Sequence, residues 1–381
     1  MTEHLPPSEE ELTGASSQPR VLAVDALRGF DMLLISGAGS FIYALHGLTG
    51  IPWVDAMARQ FEHAEWHGFT FFDFIFPLFL FIAGVSIPYS VSKGLAQGLS
   101  KTHLYRKAFW RMLLLIGLGI LDKNAPLPIF DLAQIRWVGV LQRIGFAGFV
   151  VTVLYLNFTW QRRAIWVAGI LLVYWVVMLF VPVPGYGAGH LTMEGNLHGW
   201  IDRQFLPGRL LQKIFDENGL LTQFPALCLT LLGTLAGDLL RYEPIRPVRK
   251  VLILSLVGAA LIGLAILWNL HFPINKRLWS SSFICLTAGM ASMFLALFYV
   301  LIDVLKYQKW AFFFQVIGLN SLTIYLAYRF IDFHHTSQLL FGGLYGSLPE
   351  GWQQVWRSVG AMMLVWFLMY WLYRRKIFFK V

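Results

Sequence analysis

Ten times along this chain a predominantly apolar run recurs, most of them close to the roughly 20 residues that span a bilayer as a helix, and the short connections between them hold most of the charge. The windows are 21–45, 69–91, 108–121, 137–156, 164–182, 219–240, 250–268, 279–303, 311–331 and 353–373, the third being short unless it begins near Leu104. A backbone immersed in hydrocarbon must satisfy its own hydrogen bonds, so such runs are confined to helices. Composition agrees, with 57% of residues hydrophobic and 13% charged, about half the charged share of an ordinary soluble domain. The expectation is an all-α polytopic membrane protein with about ten transmembrane helices.

Lys and Arg in the connections set the orientation. Alternate connections and the two ends together hold eighteen of them, against nine in the opposite set. Both termini are therefore expected in the cytosol, and the loop bearing His63 and His67 faces outward. The formal charge of +9 lies in these short loops, so it reads as a topology signal and not as a nucleic-acid surface. Cys228 and Cys285 both fall in apolar windows, which leaves no disulfide framework and no cysteine metal site. Residues 1–19, rich in Glu, Ser and Pro, lack the basic start and apolar core of a signal peptide and read as a disordered cytosolic tail. Residues 20–381 then form a single membrane domain. Its longest outer connection, 183–218, contains PVPGYGAGH and GWIDRQFLPG and is expected to fold over the outer mouth.

The chemistry concentrates in FEHAEWHGFTFFDFIFPLFLFIAG, residues 61–84. His63 and His67 are four apart and would share a face if the segment were helical. Two interfacial histidines bonded to neighbours, or a general base, both fit. HAEWH lacks the HExxH arrangement of a zinc site. Asp73 enters the second window about one turn deep, where a carboxylate is expected to have a partner. Arg143 in the fourth window is a candidate partner; the other roles open to Asp73 are a helix-end carboxylate and one that orients a catalytic imidazole. Asn320 and Ser321 fall near mid-membrane in GLNSLTIYL, as helix–helix hydrogen bonds or as the lining of an acyl-donor channel. Arg329 and Asp332 could pair with each other. Asp25 and Arg28 stand at the cytosolic end of the first window, as an i, i+3 ion pair or as a place for a nucleotide phosphate. Gly233 with Gly237, and Gly145 with Gly148, have the spacing of close helix packing.

The runs VDALRGFDM, FEHAEWHGFTFFDFIFPLFLFIAG, IRWVGVLQRIG, GWIDRQFLPG, INKRLWSSSF and GLNSLTIYL together resemble the heparan-α-glucosaminide N-acetyltransferase family, including its bacterial members. The resemblance covers almost the whole chain in order. It implies a transmembrane acetyltransferase in the bacterial inner membrane, taking acetyl-CoA from the cytosol and passing the acetyl group to an amino sugar or glycan on the periplasmic side. Carried over by position, the family's catalytic histidine falls on His63 and its second-span acid on Asp73. His67, Arg143, Asn320, Lys276 and Trp279 are candidates for contacts to the acceptor or the oxyanion, and Asp25, Arg28 and Ser36 for contacts to the cofactor. No metal is implied, and a homodimer is compatible with the resemblance. The first span departs from the pattern, with Ser36 and Gly37 where the family often has an Asn, and His67 stands where the family can have Asn. Two other functions fit the same residues: a sugar carrier without chemistry, and an O-acetyltransferase of surface polysaccharide.

Overall fold

The computed structural model describes residues 21–128 and 130–379; the tail expected at 1–19 lies outside them. Among the described residues the architecture is helical, with no strand beyond the isolated bridges Arg136–Gly208 and Val183–Gly187. Helix α1 (Leu22–Leu33) runs into a π-helical turn, Leu34–Ala38, and a short α2 (Gly39–Tyr43). Next come α3 (Pro52–Arg59), α4 (Phe71–Ala96), α5 (Lys101–Asn124), α6 (Val140–Asn157) and α7 (Trp160–Phe180). After α8 (Leu197–Phe205) follow α9 (Gln223–Arg241), α10 (Pro247–Trp268), α11 (Ser281–Tyr299), α12 (Ala311–Gly318), α13 (Ser321–Phe330), α14 (Phe333–Tyr345) and α15 (Glu350–Arg374).

All ten apolar windows lie on helices. Among the described residues, seven helices are long and apolar enough to cross a membrane unaided: α4, α6, α7, α9, α10, α11 with its π-helical extension to Val304, and α15. The ninth window is a bent pair, α12 and α13, which meet at 69°. The first window is interrupted at Ser36 and Gly37, where Gly37 has φ 138°, a conformation that costs glycine little. The third extends to the 24 residues of α5, whose apolar stretch is flanked by Arg106, Lys107 and Arg111 on one side and Asp122 and Lys123 on the other.

Lipid tails are as apolar as the side chains they would replace, so helices here associate through close packing and hydrogen bonds. On α9, a Cβ at Gly233 would sit 2.1 Å from the Phe81 carbonyl oxygen, and one at Gly84 of α4 would sit 2.1 Å from the Thr230 oxygen. The two backbones touch at a place where only glycine fits. Gly29 of α1 and Gly318 of α12 repeat the arrangement, with a Cβ on Gly318 placed 2.1 Å from the Asp25 oxygen. Of the other expected pair, Gly145 packs on Met112, whereas Gly148 has open space beside it.

Buried ionic groups tie the connections to the bundle. Arg163 of α7 pairs with Asp238 of α9 and bonds Thr234 at 2.5 Å. At the α4-start end, Arg136 and Asp216 form a two-pronged pair at 2.6 and 2.8 Å, with side chains 5% and 0% exposed. That pair anchors the long 183–218 connection to the bundle.

Candidate active site

The segment between α3 and α4 is a loop, not a helix, so the four-residue spacing of His63 and His67 does not place them on one face. Its ends are closed by Phe72 N donating to Gln60 O at 2.9 Å. Asp73 is the third residue of α4, and its Oδ2 accepts from the amide of Thr70, the helix N-cap, at 3.2 Å and from Ala64 N at 3.3 Å. The Thr70 hydroxyl gives its proton to Glu62 O at 2.5 Å. A carboxylate in a first helical turn is favoured by the free amides there. Asp73 is thus not an isolated charge facing lipid: its side chain is 1% exposed but fully engaged.

The other oxygen carries the chemistry. Asp73 Oδ1 lies 2.8 Å from His63 Nδ1, and a carboxylate can only accept, so Nδ1 holds the proton and Nε2 keeps a lone pair. The His63 side chain is 44% exposed and stacks on Phe72, with ring centroids 4.7 Å apart. Arg143, the expected partner of Asp73, is elsewhere; the cation at the carboxylate is Lys276, with Nζ 3.3 Å from Oδ1. Lys276 Nζ also stands 3.0 Å from His63 Nδ1 and 3.3 Å from Nε2. Near-equal distances to both ring nitrogens place the ammonium off both in-plane nitrogen axes, so it acts on the imidazole as a neighbouring charge and not as an aligned donor. Burial holds the Lys276 ammonium below the ordinary lysine range, against the opposite pull of Glu217 and Asp73.

Lys276 belongs to the α10–α11 loop, which runs alongside the histidine loop. Gly68 N donates to Ile274 O at 2.9 Å. Asn275 Oδ1 accepts from Leu278 N at 2.9 Å, so its Nδ2 is the donor to His67 Nδ1 at 3.2 Å. His67 is therefore protonated on Nε2, and its partial burial lowers its pKa from the usual histidine value. Successive residues, Asn275 and Lys276, meet the two histidines, so His67 aligns the loop while His63 is left accessible.

The long connection packs on the same loop. Trp66 Nε1 donates to Leu191 O at 2.8 Å, and its ring meets Phe215 edge-on at 5.5 Å. Glu217 pairs with Arg277 at 3.2 Å, and its carbonyl accepts from Arg143 Nη2 at 2.9 Å. Arg143, fully buried, also bonds Thr222 Oγ1 at 2.5 Å and lies 4.3 Å from the Trp279 ring centre. Arg143 and Trp279 thus form a prop beneath the Lys276 loop. Behind them, His198 Nε2 bonds the Asp216 carbonyl at 2.9 Å, and Asp202 accepts from the amides of Asp216 and Leu220 at 3.0 Å each. Burial lowers the His198 pKa to about 3 and pushes the Asp202 carboxyl up to about 7.

The remaining candidates lie apart. Asn320 sits at the α12–α13 break and bonds Ile377 O and Phe379 N, each at 3.2 Å, holding the C-terminal segment. Arg28 bonds Ser86 Oγ at 2.6 Å and pairs with Asp25 at 3.6 Å, the i, i+3 pair of the first helix. Ser36 lies in the π-helical turn, 2% exposed. Arg329 and Asp332 do not pair: Arg329 donates to Ala125 O, and Asp332 caps α14 through His335 N. Sequence reasoning named Lys276 only as a contact to acceptor or oxyanion and missed Glu217, Arg277, Asp202, Asp216 and His198, although Asp202 lies in the GWIDRQFLPG run and His198 directly precedes it.

Residues 20–273 match the family described as heparan-alpha-glucosaminide N-acetyltransferase, catalytic. The chain belongs to this family. It is 28% identical to the heparan-alpha-glucosaminide N-acetyltransferase of Homo sapiens over 420 residues, covering 95% of this chain and 60% of that protein. With the protein of the same name from Mus musculus it is 27% identical, covering 97% of this chain and 62% of the other. The chain thus spans about 60% of the length of the curated relatives it matches. His63, Asp73 and Arg143 fall inside the matched region, and Lys276 lies just beyond its end.

Proposed function

We propose that this chain is a transmembrane acetyltransferase that moves an acetyl group from acetyl-CoA to the amine of an amino sugar. The observation that carries the reading is His63, exposed on one side and held by a buried carboxylate at 2.8 Å on the other, within a chain of this family. The relatives' printed names, acetyltransferases acting on a glucosaminide, support acetyl transfer to an amino sugar. The excess of Lys and Arg in alternate connections supports a cytosolic donor side and a periplasmic acceptor side, with His63 at the latter.

The thioester is already activated, so the protein must align the amine, take a proton and stabilise the oxyanion. The neutral amine attacks the thioester carbonyl and forms the C–N bond. His63 Nε2 accepts the proton that the nitrogen sheds, and Asp73 stabilises the imidazolium through Nδ1–H. The Lys276 ammonium, 3.3 Å from Nε2, is the cation beside the imidazole that would stabilise negative charge growing on the carbonyl oxygen. Collapse breaks the C–S bond, and the proton on Nε2 goes to the CoA sulfur. Because the sugar amine enters as an ammonium, one proton is released per turnover. The same lone pair would serve if His63 first carried the acetyl group itself.

Purified protein supplied with acetyl-CoA and glucosamine should form free CoA and N-acetylglucosamine in equal amounts. Uptake of sugar into vesicles without acetyl-CoA, and with no CoA released, would make the chain a carrier. Acetylation of hydroxyl but not amine acceptors would change the acceptor class.

A further inference from the structure

Helices α10 and α11 meet backbone to backbone at a pair of glycines. A Cβ at Gly258 would sit 2.9 Å from the Gly289 carbonyl oxygen, and one at Gly289 would sit 2.7 Å from that of Gly258. From this crossing toward the start of α10 and the end of α11, the space between them is a groove of about 480 Å³. Its walls include Val251 and Ser255 of α10 and Met290, Met293, Leu297 and Val300 of α11. Met290 and Val300 are ten residues apart, about 15 Å of helix, which is one leaflet of a hydrocarbon core about 30 Å thick. α10 is the least buried of the seven long helices, and Met293 and Leu297 are exposed, so the groove opens on the face turned to lipid. An apolar slot one leaflet long suits one acyl chain.

Charge at the far end of the groove selects the lipid. Arg246 is the N-cap of α10, five residues before Val251, and Lys306 follows the π-helical turn Val300–Val304; both are exposed. Arg249 and Lys309, also exposed, add to the same positive field. The neighbouring carboxylates are engaged elsewhere. Asp303 accepts from Leu22 N at 3.3 Å and Ala23 N at 2.9 Å, at the start of α1. Glu243 lies within electrostatic reach of Lys250, whose Nζ donates to Leu240 O at 2.6 Å. Lys306 has φ 61°, a helix-end conformation that glycine adopts at least cost. A cation therefore stands there against the preference of the backbone.

We propose that this groove binds an anionic phospholipid, with one acyl chain along α10 and α11 and the phosphate held by Arg246 and Lys306. A zwitterionic headgroup would bring a cation of its own to the same place. A second copy of the chain, docked on this face about a twofold axis, would set the same basic groups against each other.

The test is native mass spectrometry of the full chain in detergent, titrated with phosphatidylglycerol and with phosphatidylcholine of the same acyl chains. Each basic residue near an anionic headgroup is worth about fivefold, so wild type should retain phosphatidylglycerol roughly 25-fold more tightly than phosphatidylcholine. Arg246→Gln combined with Lys306→Gly should bring the two within about twofold. Arg246 makes no side-chain cap bond, and glycine relieves the backbone at 306, so Tm without added lipid should not fall in this variant. Ser255→Phe, which fills the groove and leaves the basic residues in place, should weaken both lipids roughly tenfold, the worth of about two buried methylenes. Equal retention of the two lipids by wild type, or a preference for phosphatidylglycerol that survives in the double variant, would overturn the proposal. So would efficient disulfide cross-linking of two chains through Leu297→Cys in native membranes, which would seat a second copy in the groove. None of these readouts uses acetyl-CoA, so the outcome is independent of the proposed acetyl transfer.

Discussion

Replacing Asp73 by asparagine should change which nitrogen of His63 carries the proton, and the geometry says why. Asp73 Oδ2 receives two fixed amide donors, Ala64 N at 3.3 Å and Thr70 N at 3.2 Å. An NH₂ group placed there would oppose both, so the substituted side chain must keep its carbonyl oxygen on that side and turn its NH₂ toward His63. Nδ1, 2.8 Å away in the wild type, then becomes an acceptor. The proton moves to Nε2, and the exposed nitrogen can no longer take one. General-base assistance is worth about 10²–10⁴ in rate, so kcat should fall by that factor, or about 3–5 kcal/mol at 1.36 kcal/mol per decade. Fold stability should drop by about 1.5–3 kcal/mol for each charged interaction lost at Oδ1, with His63 and with Lys276, while the cap bonds survive. The assay is release of free CoA from acetyl-CoA with glucosamine, followed as thiol, beside thermal unfolding in the same detergent. A stable Asp73→Asn protein retaining more than about a third of the wild-type kcat would refute the assigned tautomer and its catalytic role.

Other expectations follow from the same contacts. Arg136→Met leaves Asp216 buried without its cation and should cost about 3–5 kcal/mol, read as a lower Tm and as protease sensitivity within 183–218. Gly233→Leu forces a side chain into the Phe81 carbonyl and should abolish monodisperse protein in size exclusion, whereas Gly148→Ala, beside open space, should leave Tm unchanged or raise it slightly. His198, with its pKa lowered from 6.5 to about 3, contributes stability that is fully present above pH 6.5 and lost on acidification. Asp202, raised from 3.8 to about 7, contributes stability present below pH 3.8 and lost as pH rises through 7. Between about pH 4 and 6.5 the two slopes oppose each other, so wild-type Tm should vary little there, while Asp202→Asn should lose Tm steadily as pH falls over that interval.

What the sequence revealed divides by the range of the interaction. Helices were legible because twenty apolar residues constrain a backbone locally, and every window found one. The break at Ser36–Gly37 and the 69° bend between α12 and α13 were not, since GAG and GLNS are equally at home in an unbroken packed helix. The pairing of Gly233 with α4 was half visible: the spacing announced a contact surface without naming the partner. His63 and Asp73 stood out because histidine and carboxylate are scarce in such a chain; of the roles expected for Asp73, the helix-end carboxylate and the contact to an imidazole match its surroundings, and the pairing with Arg143 does not. Thr70-x-x-Asp73 is a cap, readable as a helix start, and its closeness was masked by the apolar run that follows. Lys276 is 213 residues from His63, and nothing in INKRLW says which loop it will meet. Arg143 looked like a partner for Asp73 by depth alone, but the structure spends it on Glu217 and Trp279. Depth in a membrane is a single coordinate, and pairing needs all three.

The central claim is that His63 Nε2 handles the proton or the acetyl group, and turnover of His63→Ala tests it most directly. With folding verified by an unchanged Tm, the account predicts that CoA release from acetyl-CoA and glucosamine falls at least about 10²-fold, while acetyl-CoA still binds. CoA release by that variant at the wild-type rate would contradict it.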